Sequence, residues 1–130
     1  FIIEGFNAAP GSIIISEQPE IHLHPNAQSH LADLLVAISE KNKQIIIETH
    51  SEHLILKLQT LIASKKINHA DVKIYFLEPT KKGTNIIDSE LNELGEITKK
   101  WPLGFFSEVY ERMNEYAKVK SEMIENASGK

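Results

Sequence analysis

Two stretches of this chain concentrate side chains that could do chemistry. Glu17, Gln18, Glu20, His22 and His24 crowd the segment "SEQPEIHLHP", and Glu48, Thr49, His50 and His53 crowd "ETHSEH". Carboxylates and imidazoles bind divalent cations, and beside an amide or hydroxyl they can order a water molecule for attack. In an extended segment His22 and His24, two residues apart, would point the same way and could chelate a metal. With His50, His53 and Glu20 they would sketch a zinc or manganese hydrolase. The alternative is a pair of turn histidines satisfied by hydrogen bonds. His30 and His69 read as surface residues. Lys41–Lys43 and Lys65–Lys66 read as solvated helix ends, where cations suit the helix dipole.

Both clusters follow unbroken apolar runs, Ile13–Ile15 and Ile45–Ile47, and a third run covers Val72–Leu77. Unbroken runs suit strands covered on both faces, as in a parallel sheet. Between the first two, Ala27, Leu31, Leu34, Leu35 and Ile38 fall on one helical face, and Pro25 fits the first turn of that helix. After the second run, Leu54, Ile55, Leu58, Leu61 and Ile62 repeat the stripe, with Ser51 as N-cap. The order is β-α-β-α-β, and right-handed crossovers would make all three strands parallel. "EPTKKGTN" is turn chemistry, so Thr84–Ile87 should return as a strand on the third run. "SELNELGEITKK" reads as a short helix or an irregular connection. From Phe105 to about Glu125 the spacing of Phe106, Val109, Met113, Tyr116 and Met123 predicts an amphipathic helix, followed by a frayed tail.

Parallel strands bring all their C-terminal ends to one edge, where ligands of such folds collect. Glu17 and Gln18, then Glu48, Thr49 and His50, and finally Glu78 would meet there. An acid directly after a buried strand is the arrangement of a Walker B element, whose carboxylate holds Mg²⁺ while the next residue polarises the attacking water. A polar residue and a histidine after the adjacent strand can contact a γ-phosphate. The plainer reading makes Glu17 and Glu20 loop acids that favour the positive end of a helix. A second strand ending in Thr-His one helix later weighs toward chemistry.

Composition sets the outer bounds. With 130 residues the chain is one domain or part of one, and 42% apolar residues suffice for one modest core. A net charge of −4 gives no global attraction to nucleic acid or to anionic membrane. Cysteine is absent, which excludes disulfides and thiolate metal sites. No apolar run approaches the roughly 18 residues of a membrane helix, and no signal-peptide pattern opens the chain. The expectation is a soluble, cytoplasmic protein. The opening "FIIEGFNAAPGS" lacks methionine and begins in an apolar segment, as though cut into a helix, so the chain reads as the C-terminal part of something longer.

"IIISEQPEIHLHPNAQSHLADLL" followed by "QIIIETHSEHLI" closely resembles the second half of ABC-class ATPases of the SMC/RecF/OLD-like kind. In bacterial members the Walker B segment reads E-[EQ]-P-E-[IL]-H-L-H-P. "ELNELGEITKKWPLGFFSE" resembles the W-P-x-G-F-F tail module, of unassigned function, that closes one subfamily. The likeness runs from about Phe1 to Glu108. It implies an α/β fold, a partial three-layer P-loop NTPase-like core lacking the Walker A strand, over residues 1–100, with a tail module over 101–130. It further implies ATP and Mg²⁺ as cofactors. Glu17 would be the Walker B acid on Mg²⁺, and Gln18 would stand in the place of the catalytic glutamate. His22, Leu23 and His24, with Pro25, would correspond to the D-loop that crosses the dimer interface. Thr49 would lie beside the nucleotide, and His50 would be the switch histidine on the γ-phosphate. Implied partners are the half carrying the Walker A and signature motifs, a second copy through a nucleotide sandwich, and DNA.

Two departures qualify the resemblance. Gln18 has no titratable carboxylate and cannot act as a general base, so hydrolysis would be slow unless Glu20 or Glu48 helps to orient water. No G-x-x-x-x-G-K-[ST] occurs in the 130 residues, so this chain alone should bind ATP weakly or not at all. In the family the phosphate-loop strand lies between the second and third strands seen here. The slot left by its absence should close by strand collapse, rearrangement or dimerisation. The competing readings are a metal-dependent hydrolase built on His22, His24 and His50, and a non-catalytic module that docks a partner through the Trp101–Phe106 tail. An OLD-type nuclease module needs a clustered E…D-x-D acid pattern, which this sequence lacks.

Overall fold

The computed structural model describes residues 2–98 together with Glu115 and Tyr116. Backbone contacts divide the chain into Phe1–Lys100 and Trp101–Lys130. In the second unit Glu115 and Tyr116 are helical and exposed. The Trp101–Phe106 tail and the rest of the terminal helix expected over 105–125 lie outside the described residues.

The first unit is a mixed α/β structure with a parallel sheet and flanking helices. Its elements are α1 (Ile2–Asn7), β1 (Ile13–Glu17), α2 (Pro25–Ser39), β2 (Gln44–Glu48), α3 (Glu52–Ala63), a 3-10 turn at His69–Asp71, β3 (Ile74–Thr80) and β4 (Gly83–Ser89). Local chemistry starts both long helices. Pro25 occupies the first turn of α2, and the N-cap His24 accepts the Asn26 N–H at its Nδ1. Ser51 caps α3 by accepting the Leu54 N–H at 3.1 Å. The apolar stripes then decide the packing. Leu31, Ala32 and Leu35 of α2 interlock with Leu54 and Leu61 of α3, over Ile45 and Ile47 of β2. Each large aliphatic side chain so buried contributes about 1.5–3 kcal/mol. Leu34, expected in the same stripe, is substantially exposed at the edge of the α2 face.

β1 and β2 pair parallel, from Ile13 opposite Gln44 to Glu17 opposite Glu48. The expected third parallel strand is not part of this sheet. β3 instead pairs antiparallel with β4 in a sheet of their own, from Ile74 opposite Ser89 to Thr80 opposite Gly83. The turn at Lys81–Lys82 offers β3 an adjacent partner at once, and no strand stands between β2 and β3 to carry a ladder across. The slot is therefore not closed by strand collapse within the described residues. Glu78, expected at the ligand edge, lies inside β3 opposite Asn85.

The strands are also not covered on both faces, as unbroken isoleucine runs predicted. α2 and α3 both pack on the side of Ile14, Ile45 and Ile47, which are half-buried. Ile15 and Ile46, opposite one another on the other side, remain 71% and 47% exposed. The described core thus has two layers rather than three.

Lys43 overturns the reading of a solvated lysine run. It is 7% exposed, and its Nζ donates to the carbonyls of Gly5 at 2.7 Å and Phe6 at 2.9 Å. These are carbonyls of the last turn of α1, where a cation also meets the negative end of the helix. Lys41 stacks over the Phe6 ring at 5.1 Å. His69 is half-buried rather than on the surface, and its Nδ1 lies 3.0 Å from the Leu91 carbonyl oxygen. The stretch after β4 is an irregular turn closed by a bridge between Leu91 and Ile97. Gly95 at its tip has φ +74 and lies against the Gln59 carbonyl, too close for any side chain. Gln59 Nε2 donates to the Gly95 carbonyl at 2.7 Å and fastens this turn to α3. Among the described residues no helix is long and apolar enough to cross a membrane.

Candidate functional site

The parallel register sets Glu17 directly beside Glu48, at the C-terminal tips of the two strands. Residues paired in register share a face, so both carboxylates stand on the exposed side with Ile15 and Ile46. The ladder extends one step further, because the Gln18 N–H donates to the Glu48 carbonyl at 2.8 Å. Gln18 itself turns into the left-handed region, φ +43, which ends the strand and starts the loop. His50 Nε2 lies 4.0 Å from Glu48 Oε1, with both side chains well exposed. As an ion pair that contact is worth little. As geometry it brings the imidazole to the same edge as the two acids.

Behind this edge runs a web of short hydrogen bonds. Glu20, read from sequence as a loop acid or a helper for water, is only 6% exposed. Its Oε1 accepts from Thr49 Oγ1 at 2.7 Å and from the His50 backbone N–H at 2.9 Å. Thr49 Oγ1 in turn accepts the Ser51 N–H at 3.0 Å. Ser51 Oγ donates to Gln28 Oε1 at 2.6 Å, and Gln28 Nε2 donates to the Leu23 carbonyl at 3.0 Å. The loop after β1, the first turn of α2 and the segment after β2 are thereby stitched together. Glu20 is committed to this web and does not face the edge. Gln28 was not legible as a site residue, since nothing in "PNAQSH" marks a glutamine aimed at another loop.

The H-x-H motif takes a different form from the expected chelate. Pro19–His22 is a sequence of turns, not an extended strand, and His22 has φ +67. Alternation of side chains fails there, so His22 and His24 do not present a common face. His24 has its Nδ1 on the Asn26 N–H as a helix cap. Among the described residues no three His, Asp or Glu side chains gather as a metal-holding group. A shallow groove lined by Asp33, Val36, Ala37, Glu40, Leu61 and Lys66 contains none of the strand-tip residues.

Hard oxygen donors at Glu17 and Glu48 are of the type Mg²⁺ takes, usually one or two carboxylates completed by water and phosphate oxygens. Side by side, two carboxylates also repel, and a cation relieves that cost. The metal end of a nucleotide site therefore fits the residues present. The phosphate end does not, because no phosphate loop occurs among the 130 residues.

Residues 1–55 match the family described as AAA ATPase domain, and residues 67–115 match a family described as protein of unknown function (DUF3696). The chain is 42% identical over 40 residues to the Old nuclease of Escherichia phage P2. That segment is 31% of this chain and 7% of the phage protein. No solved structure matches the chain.

Proposed function

We propose that this chain supplies the metal and switch side of an ABC-class ATPase site, and that a phosphate-loop segment completes it. The observation that carries this reading is the pairing of Glu17 with Glu48 at one sheet edge, with His50 beside them. The match of residues 1–55 to the AAA ATPase domain supports it independently. Glu17 is the carboxylate for Mg²⁺, which supplies charge neutralisation at the phosphates when bound. Gln18, next along the loop, holds water by hydrogen bonds without taking its proton, because an amide is not a base at neutral pH. His50 donates toward the terminal phosphate. The exposed loop at His22, Leu23 and His24 faces a second copy across the nucleotide. ATP binding, slow hydrolysis and association of two such sites follow. The likeness to the Old nuclease supports a DNA-linked role, with no nuclease chemistry assigned to these residues. The turn at His22, with φ +67, and the use of His24 Nδ1 as the cap of α2 disfavour a metal hydrolase of His22, His24 and His50.

The test joins this chain to a phosphate-loop half and measures ATP binding and turnover with Mg²⁺. The chain alone should show no binding, and the joined protein should bind and turn over slowly. Glu17→Ala should abolish turnover, and Gln18→Glu should raise it. An unaltered rate in Glu17→Ala would sink the assignment, and an unaltered rate in Gln18→Glu would show that the amide does not limit chemistry.

A further inference from the structure

Glu20 is the charged member of a closed circuit of hydrogen bonds. From Glu20 the circuit runs through Thr49 and Ser51 to Gln28 and the Leu23 carbonyl, and the Leu23 N–H returns to the Glu20 carbonyl at 3.0 Å. Glu20 Oε1 accepts two bonds, one within the circuit from the Thr49 hydroxyl and one that branches from it, from the His50 backbone N–H. The latter bond fixes the peptide that carries the imidazole, while the imidazole itself stays exposed. The other carboxylate oxygen, Oε2, is buried without a partner. Burying a carboxylate with one oxygen unsatisfied costs stability, so the arrangement is not the cheapest way to fill this space. A residue held at such a cost, one peptide from a chemical group, points to positioning.

We infer that Glu20 is a positioning residue for His50, and that it makes the loop after β1 and the segment after β2 move as one body. The inference rests on the proposed ATPase reading for its catalytic consequence, but not for its structural one. Displacing the Gln18–His24 loop displaces Glu20. Glu20 carries the His50 peptide with it through a charge-assisted bond, stronger than a neutral one. A signal arriving at the exposed loop, such as contact with a second copy, is then felt at the imidazole. The chain offers a mechanical link where the sequence shows only an acid two residues before a histidine.

Two substitutions separate positioning from mere structure. Glu20→Gln keeps an oxygen to accept both hydrogen bonds and removes the unpaired buried charge. Glu20→Ala removes the acceptor. The first readout is amide hydrogen exchange of His50 in the 130-residue chain, which needs no nucleotide. Exchange at His50 should quicken roughly tenfold to a hundredfold in Glu20→Ala, the range expected on losing a bond to a charged acceptor. It should stay near the unmodified rate in Glu20→Gln, and core amides such as that of Leu54 should remain protected in both. The second readout is turnover in the protein completed with a phosphate loop. There Glu20→Ala should lower kcat by a similar factor with KM for ATP nearly unchanged, and Glu20→Gln should restore it. Unchanged His50 exchange in Glu20→Ala overturns the link itself, whatever the protein does with ATP. A loss in KM alone, or a loss that Glu20→Gln does not rescue, overturns the positioning role. Absence of turnover in the unsubstituted protein would strike the ATPase reading and leave the exchange result to decide the link.

Discussion

Two small sheets lie in the first unit of this chain, and each leaves an apolar row exposed. β1 and β2 expose Ile13, Ile15 and Ile46; β3 and β4 expose Tyr75, Leu77 and Ile86. Their directions separate them. The parallel pair sends both C-terminal ends to one edge, and that edge gathers Glu17, Gln18, Glu48 and His50. The antiparallel pair splits its ends, so the turn at one end carries Lys81 and Lys82 while the other end joins the rest of the chain. The two regions are also fastened differently. The parallel tips are held by side-chain bonds that cross from one loop to another, the longest in sequence joining Glu20 to His50. The hairpin is held by its own ladder, with Lys73 reaching Asp88 at 3.0 Å and Glu90 at 3.6 Å. Direction brings the two acids together, and cross-loop bonds tie the segments behind them.

If that contrast is right, the largest injury to the parallel region comes from the helices behind it. Leu54 is 1% exposed at the centre of the α2–α3 contact. Leu54→Ala should cost about 2–5 kcal/mol, through lost transfer energy and the cavity left behind. Denaturant unfolding followed by circular dichroism gives the size. Residue-resolved exchange gives the place: amides of β1, β2 and α3 should lose protection before those of β3 and β4. Equal loss in both sheets would break the distinction, because it would show one cooperative body.

How far the sequence reaches differs between the regions for the same physical reason. The helices were legible, because the stripes from Leu31 to Ile38 and from Leu54 to Ile62 are local patterns, and Ser51 and Pro25 are local caps. The hairpin was legible from "PTKKGTN". The placement of β3 was not, because strand order is a long-range choice that apolar runs do not encode. The bare face of Ile15 and Ile46 was hidden for the same reason: an unbroken run states that both faces are apolar, not that both find cover. At the site, the side-by-side placing of Glu17 and Glu48 was legible from strand ends alone. The burial of Glu20, the aim of Gln28 and the α1 contacts of Lys43 were not, since each depends on a partner between 23 and 38 residues away.

A smaller perturbation sharpens the contrast at the tips. Ser51 caps α3 and also binds Gln28, so Ser51→Ala removes the cap and one link of the cross-loop circuit. Loss of a serine N-cap typically costs about 1 kcal/mol. The unfolding midpoint should fall accordingly. Chemical shifts at Thr49, His50 and Gln28 should change, while those of Tyr75, Leu77 and Ile86 stay in place. Shifts of comparable size in the hairpin would mean that the two regions share more than the turn docked on α3.

The smallest effect belongs to the hairpin and is a matter of pH. The Asp88 carboxylate that Lys73 hydrogen-bonds raises the lysine pKa above its ordinary 10.5, more than desolvation lowers it, with Glu90 adding to the rise. Because the folded value is the higher one, the ion pair's support is fully present below about 10.5, the unfolded lysine value. It fades as the pH climbs through the raised value, when the folded ammonium gives up its proton. Lys73 is largely solvated, so water screens the pair and the change is small. Titration followed on the Asp88 side-chain carboxylate and Ile86 carbonyl carbons should show it in that alkaline window, and Lys73→Met should abolish it. The same titration should leave Gln18 and His50 unmoved, because their fastening depends on Glu20, Thr49, Ser51 and Gln28 rather than on any lysine. An alkaline transition that appears at both sheets together would mean that the hairpin's ion pair also steadies the strand tips.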